Sequence, residues 1–352
     1  MNMKKKIIIA VLILIVAVAG FLGFQLVQFS VSNPKKEYFY VHTGDNIETV
    51  KANLKKQFSI KLNGFEFACK ILRFKNPKPG RYKLPDGMSN YKLVRLLRSG
   101  NQDLVKMTIN KERIPELFAS KMGKKFDFDF DSIQMIHFLK NNDALKKYNV
   151  DTNTVMAIVM PNTYFAKWNS SPENIMDQLY ASYKKFWNEE RKVKADSLHL
   201  TPLQVVTLAS IVDEETLKKS DKGNIASTYL NRIKIGMPLQ ADPTVKYAMK
   251  DFALKRILSV HLKTVSPYNT YMNRGLPPGP ICTPQAETID AVLNAPKTDY
   301  LYFVASSKFD GSSIFTTNYN DHLKYARLYQ QELTRRMDSS KKANAQKNVP
   351  VQ

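Results

Sequence analysis

Three consecutive acids, Asp213, Glu214 and Glu215, end an apolar run and are the sharpest chemical feature of the sequence. A carboxyl group at the margin of a buried surface is poorly hydrated when charged. Its pKa therefore rises toward the range in which one group can both give and take a proton. The run before the acids opens with Thr201-Pro202-Leu203-Gln204, a hydroxyl cap, a proline suited to the first helical position and a glutamine placed to close a capping box. At about 100° per residue, Val205, Leu208, Ala209 and Val212 share one apolar face, and Glu215 falls about 20° beyond Leu208 at its edge. The same arithmetic turns Glu214 toward solvent and sets Asp213 about 160° from Glu215, so those two cannot face each other across this helix. Glu215 is the candidate proton donor. A helix-end acid paired with Lys218, Lys219 or Lys222 fits the same position, and geometry alone does not separate the two readings.

Other chemistries find less support. Cys69 and Cys282 lack metal-ligand or framework spacing, and His42, His137, His199, His261 and His322 are scattered, so no metal and no cofactor is expected. The 352 residues carry 53 Lys plus Arg against 31 Asp plus Glu, a formal charge of +22, which points to an anionic partner without choosing one. With 43% hydrophobic residues the chain can bury a core, which excludes a disordered polycation.

The first thirty residues narrow the choice of polyanion. Lys4, Lys5 and Lys6 precede eighteen apolar residues from Ile7 to Phe24, long enough to cross a bilayer. The expected layout is a cytoplasmic end at 1–6, an anchor at 7–29 and everything beyond it outside the cytoplasm, with the cell membrane as one partner. Ala17-Val18-Ala19-Gly20 also has the spacing of a signal-peptide cleavage site. In either case nucleic acid is excluded as a partner.

The elements that must position the acids follow. After a linker at 30–36, residues 37–100 read as strand, Thr43-Gly44-Asp45 turn, two helices, a strand from Pro79 and a helix capped at Ser89 or Asn90 and stopped at Gly100. That opening resembles a LysM-like glycan-binding module, and a generic α+β spacer shares it. Residues 101–198 read as mainly helical, with Ser171-Pro172 starting one helix and Val159 to Tyr164 as a loop. Residues 199–334 hold the dense polar motifs. Residues 335–352, with five bases and one acid, read as a frayed or disordered basic tail.

Those motifs are Asn231-Arg232, Gly236 to Thr244, Ser266-Pro267-Tyr268-Asn269-Thr270-Tyr271, Gly275 to Ile281, Tyr300 to Val304, Phe315 to Asn318 and His322. Together with Ala209-Ser210-Ile211-Val212-Asp213-Glu214-Glu215-Thr216 they resemble the MltG (YceG-like) family of membrane-anchored endolytic murein transglycosylases. The family helix reads Ala-Ser-Ile-(Ile or Val)-Glu-x-Glu-Thr with the second Glu catalytic, which the resemblance places at Glu215. Asp213 replaces the first Glu, and Asp221-Lys222 stands where the family has Glu-Arg. The resemblance implies an α+β protein: one transmembrane helix, a small LysM-like α+β module and a mixed α/β catalytic domain. It implies cleavage of the bond between N-acetylmuramic acid and N-acetylglucosamine to leave 1,6-anhydro ends, peptidoglycan strands as substrate and peptidoglycan synthases as partners. By resemblance and residue type, Gln240, Asp242, Tyr268, Asn269 and Asn318 are candidates for the substrate-binding lining. Asp242 before Pro243 suits a helix N-cap equally well. A hydrolytic muramidase pairing Glu215 with Asp242, and a non-catalytic wall-binding scaffold, are the alternatives.

Overall fold

The computed structural model describes residues 3–28, 31–33, 35, 37–58, 60, 62–126 and 132–347. Phe29 of the expected anchor, Ser30, Pro34 and Lys36 of the linker, and residues 348–352 of the expected tail lie outside them. The fold is mostly helical α+β with small antiparallel sheets. Two compact units emerge, one made of residues 1–107, 119–135 and 163–175, the other of residues 108–118, 136–162 and 176–352.

The first unit begins with α1 (Met3–Val27), whose apolar side chains are exposed along the helix. At 1.5 Å per residue its 25 residues span about 37 Å, and an 18-residue window has a mean hydropathy of 3.2, enough to cross a membrane and equally the signature of a signal sequence. Then come β1 (Tyr38–Val41), α2 (Ile47–Phe58), α3 (Leu62–Ile71), β2 (Gly80–Lys83) and α4 (Asn90–Ser99). β1 and β2 pair antiparallel with Phe39 opposite Tyr82. Their inward faces join Val50, Leu54, Phe65, Leu93 and Leu97 in one core. The boundaries have local causes. Ser89 caps α4 through the Lys92 amide, and Gly100 ends it in the left-handed region at φ 70°.

Next come β3 (Val105–Ile109), α5 (Pro115–Gly123), α6 (Ser132–Leu139), the short α7 (Asn142–Leu145) and β4 (Asn162–Ala166). β3 and β4 form a two-stranded sheet, so part of the expected 159–164 loop is strand; hydrogen bonding to a neighbour organised a segment that lacks a local periodic signal.

The second unit is built around helices: α8 (Pro172–Phe186), α9 (Glu189–Ser197), α10 (Pro202–Glu215), α11 (Lys219–Lys234), α12 (Asp242–Met249) and α13 (Ala286–Leu293). A hairpin of β5 (Tyr302–Ala305) and β6 (Ser313–Thr316) follows, and α14 (Tyr319–Lys347) packs on it. α10 packs against α9, α11, α12 and α13, and every residue from Val205 to Asp213 is buried. It is the central helix of this unit and has no solvent face over that stretch. The residues from 335 on correct the expected tail, because α14 continues as helix to Lys347. Arg335 and Arg336 reach Glu332 at 2.7 and 2.8 Å, and no Gly or Pro interrupts the segment before Pro350.

Before α13 the chain from Gly275 to Ile281 is pinned against its neighbours. A Cβ on Gly279 would stand 2.0 Å from the Asn153 carbonyl oxygen. Backbone cannot yield that much, so Gly279→Ala is expected to lower stability by about 1–3 kcal/mol, as overpacking does, read as a drop in the thermal midpoint against wild type.

Candidate active site

α10 supplies all three acids and its neighbours sort them. Its start has the capping box expected from sequence, with Thr201 accepting from the Gln204 amide while Gln204 accepts from the Thr201 amide. In its middle, the buried Ser210 hydroxyl donates to the Thr207 carbonyl and accepts from the Ile281 amide at 3.0 Å, which docks the Gly275 to Ile281 loop onto the helix.

Asp213 is fully enclosed and structural in its contacts. It pairs with Lys111 and Lys222 at 2.7 Å each and accepts from the Thr288 hydroxyl. Burial pushes this carboxyl up, but the hydrogen bonds from Lys111, Lys222 and Thr288 outweigh it and hold the group below its ordinary range. Glu214 corrects the sequence expectation of a solvated acid. Its side chain is 15% exposed and is gripped by Arg113 at 3.0 Å, with Lys111 at 3.4 Å. The helical wheel assumed a helix with one wet side, whereas α10 is surrounded and residues 111–113 cover the flank that carries Glu214.

Glu215 differs from both. It is half-buried, and one carboxylate oxygen accepts the Tyr229 hydroxyl proton at 2.7 Å. The three lysines that could have paired with it are directed elsewhere: Lys222 to Asp213, Lys219 to Glu287 and Lys218 to Asp310. Among the described residues no cation forms an ion pair with Glu215. Burial is the main cause that lifts its pKa to about 7; the Tyr229 hydrogen bond opposes it, the Asp242 charge adds to it, and Arg232 and Lys246 pull it back down. Tyr229 is itself buried on α11 with its ring edge against Phe303 of β5, 5.7 Å between centroids. The hydroxyl that positions Glu215 is therefore fixed by the hairpin behind it.

A profile of the YceG-like family matches residues 39–328. The chain belongs to the YceG-like family. The endolytic murein transglycosylase of Bacillus subtilis (strain 168) is 31% identical over 312 residues, which cover 82% of this chain and 83% of that relative. The endolytic murein transglycosylase of Streptococcus pneumoniae serotype 2 (strain D39) is 27% identical over 348 residues, and the match spans 89% of this chain but 62% of the pneumococcal protein. A YceG-like protein from Listeria monocytogenes, solved at 2.6 Å, superposes with a TM-score of 0.53 at 25% identity, covering 82% of this chain and 99% of that one.

Within this YceG-like chain the sequence-predicted lining residues divide. Asp242 is exposed at the start of α12 and faces the Glu215 carboxyl closely enough to act on its charge. It is no helix cap: Ala241 occupies the N-cap, and the Asp242 carboxylate instead accepts from the Tyr271 hydroxyl at 2.6 Å. Gln240 is exposed beside it in the left-handed region, φ 53°, its backbone amide tied to the Thr270 carbonyl. Tyr268 is half-buried and packs on Tyr247 of α12 at 4.7 Å. Asn269 and Asn318 are engaged by groups of their own loop and helix start. Asn269 is fully buried and spends its amide on the carbonyls of Leu262 and Thr264 and on the Tyr271 amide, which shapes the loop carrying Tyr268 and Tyr271. Asn318 accepts from the Asp321 amide and caps α14, an arrangement that follows from its place just before the helix. The Asn231-Arg232 pair also serves the frame: Asn231 bonds the Thr298 and Tyr300 carbonyls, and Arg232 those of Leu301 and Leu239.

Tyr229, Tyr271, Lys246 and Arg113 were missed as site residues. Tyr271 lies in the Ser266 to Tyr271 motif, but nothing local marks Tyr229, which meets Glu215 only because α11 folds back on α10. Two measurements check this geometry. The Glu215 carboxyl is expected to titrate near 7 by carbon NMR; Tyr229→Phe removes a stabilising bond to the anion and raises that value, and Asp242→Asn removes a like charge and lowers it. Lys222→Met strands the Asp213 carboxylate with one cation and is expected to cost about 3–5 kcal/mol in urea unfolding.

Proposed function

We propose that this chain is an endolytic lytic transglycosylase of peptidoglycan, held at the cell membrane by α1 with Lys4 to Lys6 on the cytoplasmic side. The single observation that carries this reading is Glu215: a half-buried carboxyl, not ion-paired, held by a buried tyrosine and set near neutrality. A group whose pKa lies near working pH can act as acid and then as base in one cycle.

The chemistry needs no second proton carrier. Glu215, protonated, gives its proton to the glycosidic oxygen as the bond from C1 of N-acetylmuramic acid to that oxygen breaks. N-acetylglucosamine leaves with a free hydroxyl. The C6 hydroxyl of the same muramoyl ring then attacks C1, and its proton goes to the Glu215 carboxylate. The ring closes to a 1,6-anhydro end, Glu215 returns to its starting state and no water is consumed. Tyr229 orients the carboxyl throughout. Asp242, held by Tyr271, keeps the proton on Glu215 by its negative charge.

The family relationship and the names of the bacterial relatives support this reading. The β-α-α-β order of residues 38–83, closed by α4, suits the LysM-like glycan-binding role that the first unit is assigned here, and peptidoglycan strands are the polyanion that the basic surface meets. One observation favours a second reading. A second carboxylate, Asp242, faces the site, as in glycosidases that activate water.

Digestion of purified murein followed by mass spectrometry separates the two. Anhydromuramoyl ends are expected; ordinary reducing ends sink the transglycosylase reading. Glu215→Gln is expected to lose about 100- to 10,000-fold in rate while remaining folded, and unchanged cleavage by that variant removes Glu215 from the mechanism. Because the protonated form starts the cycle, activity falls as pH rises through about 7.

A further inference from the structure

The second unit holds a small cleft of about 40 Å³, room for one carboxylate, lined by Arg113, Glu214, Pro243, Lys246, Phe252 and Ile281. Its charges do not balance. Glu214 is committed to Arg113 through Nε and Nη2 and also receives Lys111, so the single acid is already satisfied. Lys246 is half-buried, and among the described residues no carboxylate lies within ion-pair distance of it. The Arg113 guanidinium lies 5.3 Å from the Phe252 ring centre, and its Nη1 has no hydrogen-bond acceptor among the described residues. Two cations, one with a free amino group and one with no ion pair among the described residues, thus share a cleft with an aromatic and aliphatic floor.

Lys246 also ties the cleft to the reacting carboxyl. It lies one turn after Asp242 on α12, and its charge acts on Glu215. An unpaired ammonium beside a substrate cleft matches an anionic group brought by the ligand, since a neutral acetamido or hydroxyl group leaves that charge unanswered. On a murein strand the anions are carboxylates, and they hang from the lactyl arm at C3 of the same muramoyl ring whose C1 is attacked.

We propose that the cleft formed by Lys246, Arg113 and Phe252 is a carboxylate subsite that reads the lactyl arm of the muramoyl residue, either in its peptide stem or as free lactate. This rests on Glu215 working on a murein strand. The subsite positions the ring by a charged group outside the scissile bond and makes cleavage depend on how the stem is modified. Strands whose stem carboxylates are amidated are poorer ligands than strands that carry them ionised.

The test measures binding in the full-length Glu215→Gln protein, which does not turn over its ligand. Three soluble uncrosslinked glycan preparations serve as probes: strands with intact stems, the same strands with carboxylates converted chemically to carboxamides, and strands stripped by an amidase to free lactate. Intact strands are expected to bind roughly tenfold or more tighter than carboxamide strands, as a charge-assisted hydrogen bond implies. Adding Lys246→Met abolishes that difference and Lys246→Arg preserves it; Lys246→Gln replaces Met where the apolar variant fails to fold. Stripped strands that bind like intact ones show that the cleft takes a carboxylate from the peptide or from the lactyl group freed by the amidase, and stripped strands that bind like carboxamide strands place it in the peptide. Equal binding of intact and carboxamide strands overturns the proposal, as does discrimination that survives Lys246→Met. Wild-type protein that yields no anhydro ends from intact strands refutes the transglycosylase reading while leaving the binding result to stand or fall by itself.

Discussion

The structure around the site depends on keeping one carboxyl group half dry. Glu215 can hold a proton near neutral pH only if burial penalises its charge and no cation pairs with it directly. Both conditions are met by the way α10 is enclosed. From Val205 to Asp213 that helix has no wet side, so its last residue emerges at the edge of the packed region, with protein behind it and the cleft in front. Nearby lysines would defeat the arrangement if they reached Glu215. Asp213 prevents this for two of them by binding Lys111 and Lys222 in the interior, and Glu214 holds Arg113 to its own flank. The three adjacent acids are thus parts of one device, in which two absorb the positive charge that the third must not meet.

That division of labour also explains how the site accommodates its departures from the family pattern. Asp213 is one methylene shorter than the glutamate that the resemblance leads one to expect, and Lys222 stands where it leads one to expect arginine. A point-like ammonium needs no planar carboxylate fork to satisfy it, and the Thr288 hydroxyl takes up bonding capacity on the same carboxylate. The neighbouring Asp221 accepts the Ser313 amide and so serves the β5–β6 hairpin whose Phe303 backs Tyr229. In a network of this kind desolvation offsets much of the Coulomb gain. Breaking one partner is nevertheless costly.

Much of the frame was legible in sequence because its causes are local. The Thr201 to Gln204 capping box, the Ser89 cap and Gly100 stop of α4, and the Ser171-Pro172 start of α8, where Ser171 accepts from the Asn174 amide, each depend on residues within four positions of one another. The edge position of Glu215 was legible too, since it is an angle on one helix. The wheel failed for Glu214 because amphipathic arithmetic presumes a wet face, and whether residues 111–113 cover that face is decided a hundred residues away. Asn269 and Asn318 show the complementary ambiguity: an amide suited to sugar hydroxyls is equally suited to the backbone of its own loop or helix start. Tyr229 and Lys246 carry no local mark, since each acquires its meaning only from the carboxyl that tertiary folding brings opposite.

The overall excess of positive charge takes on a graded meaning once these positions are known. Most of the +22 lies on exposed lysines and arginines, where water and salt screen it and where it can concentrate a polyanion without orienting it. Lys246 is different in kind. It stands half-buried between a carboxyl whose charge state sets the chemistry and a cleft whose own acid is already occupied. Any anion that binds there draws the field of Lys246 away from Glu215, and with less positive potential nearby the carboxyl holds its proton more firmly. In the proposed mechanism, binding of the strand and readiness of the acid are thereby coupled through a single ammonium group, so that a strand seated with its carboxylate in the proposed subsite meets Glu215 in the protonated form.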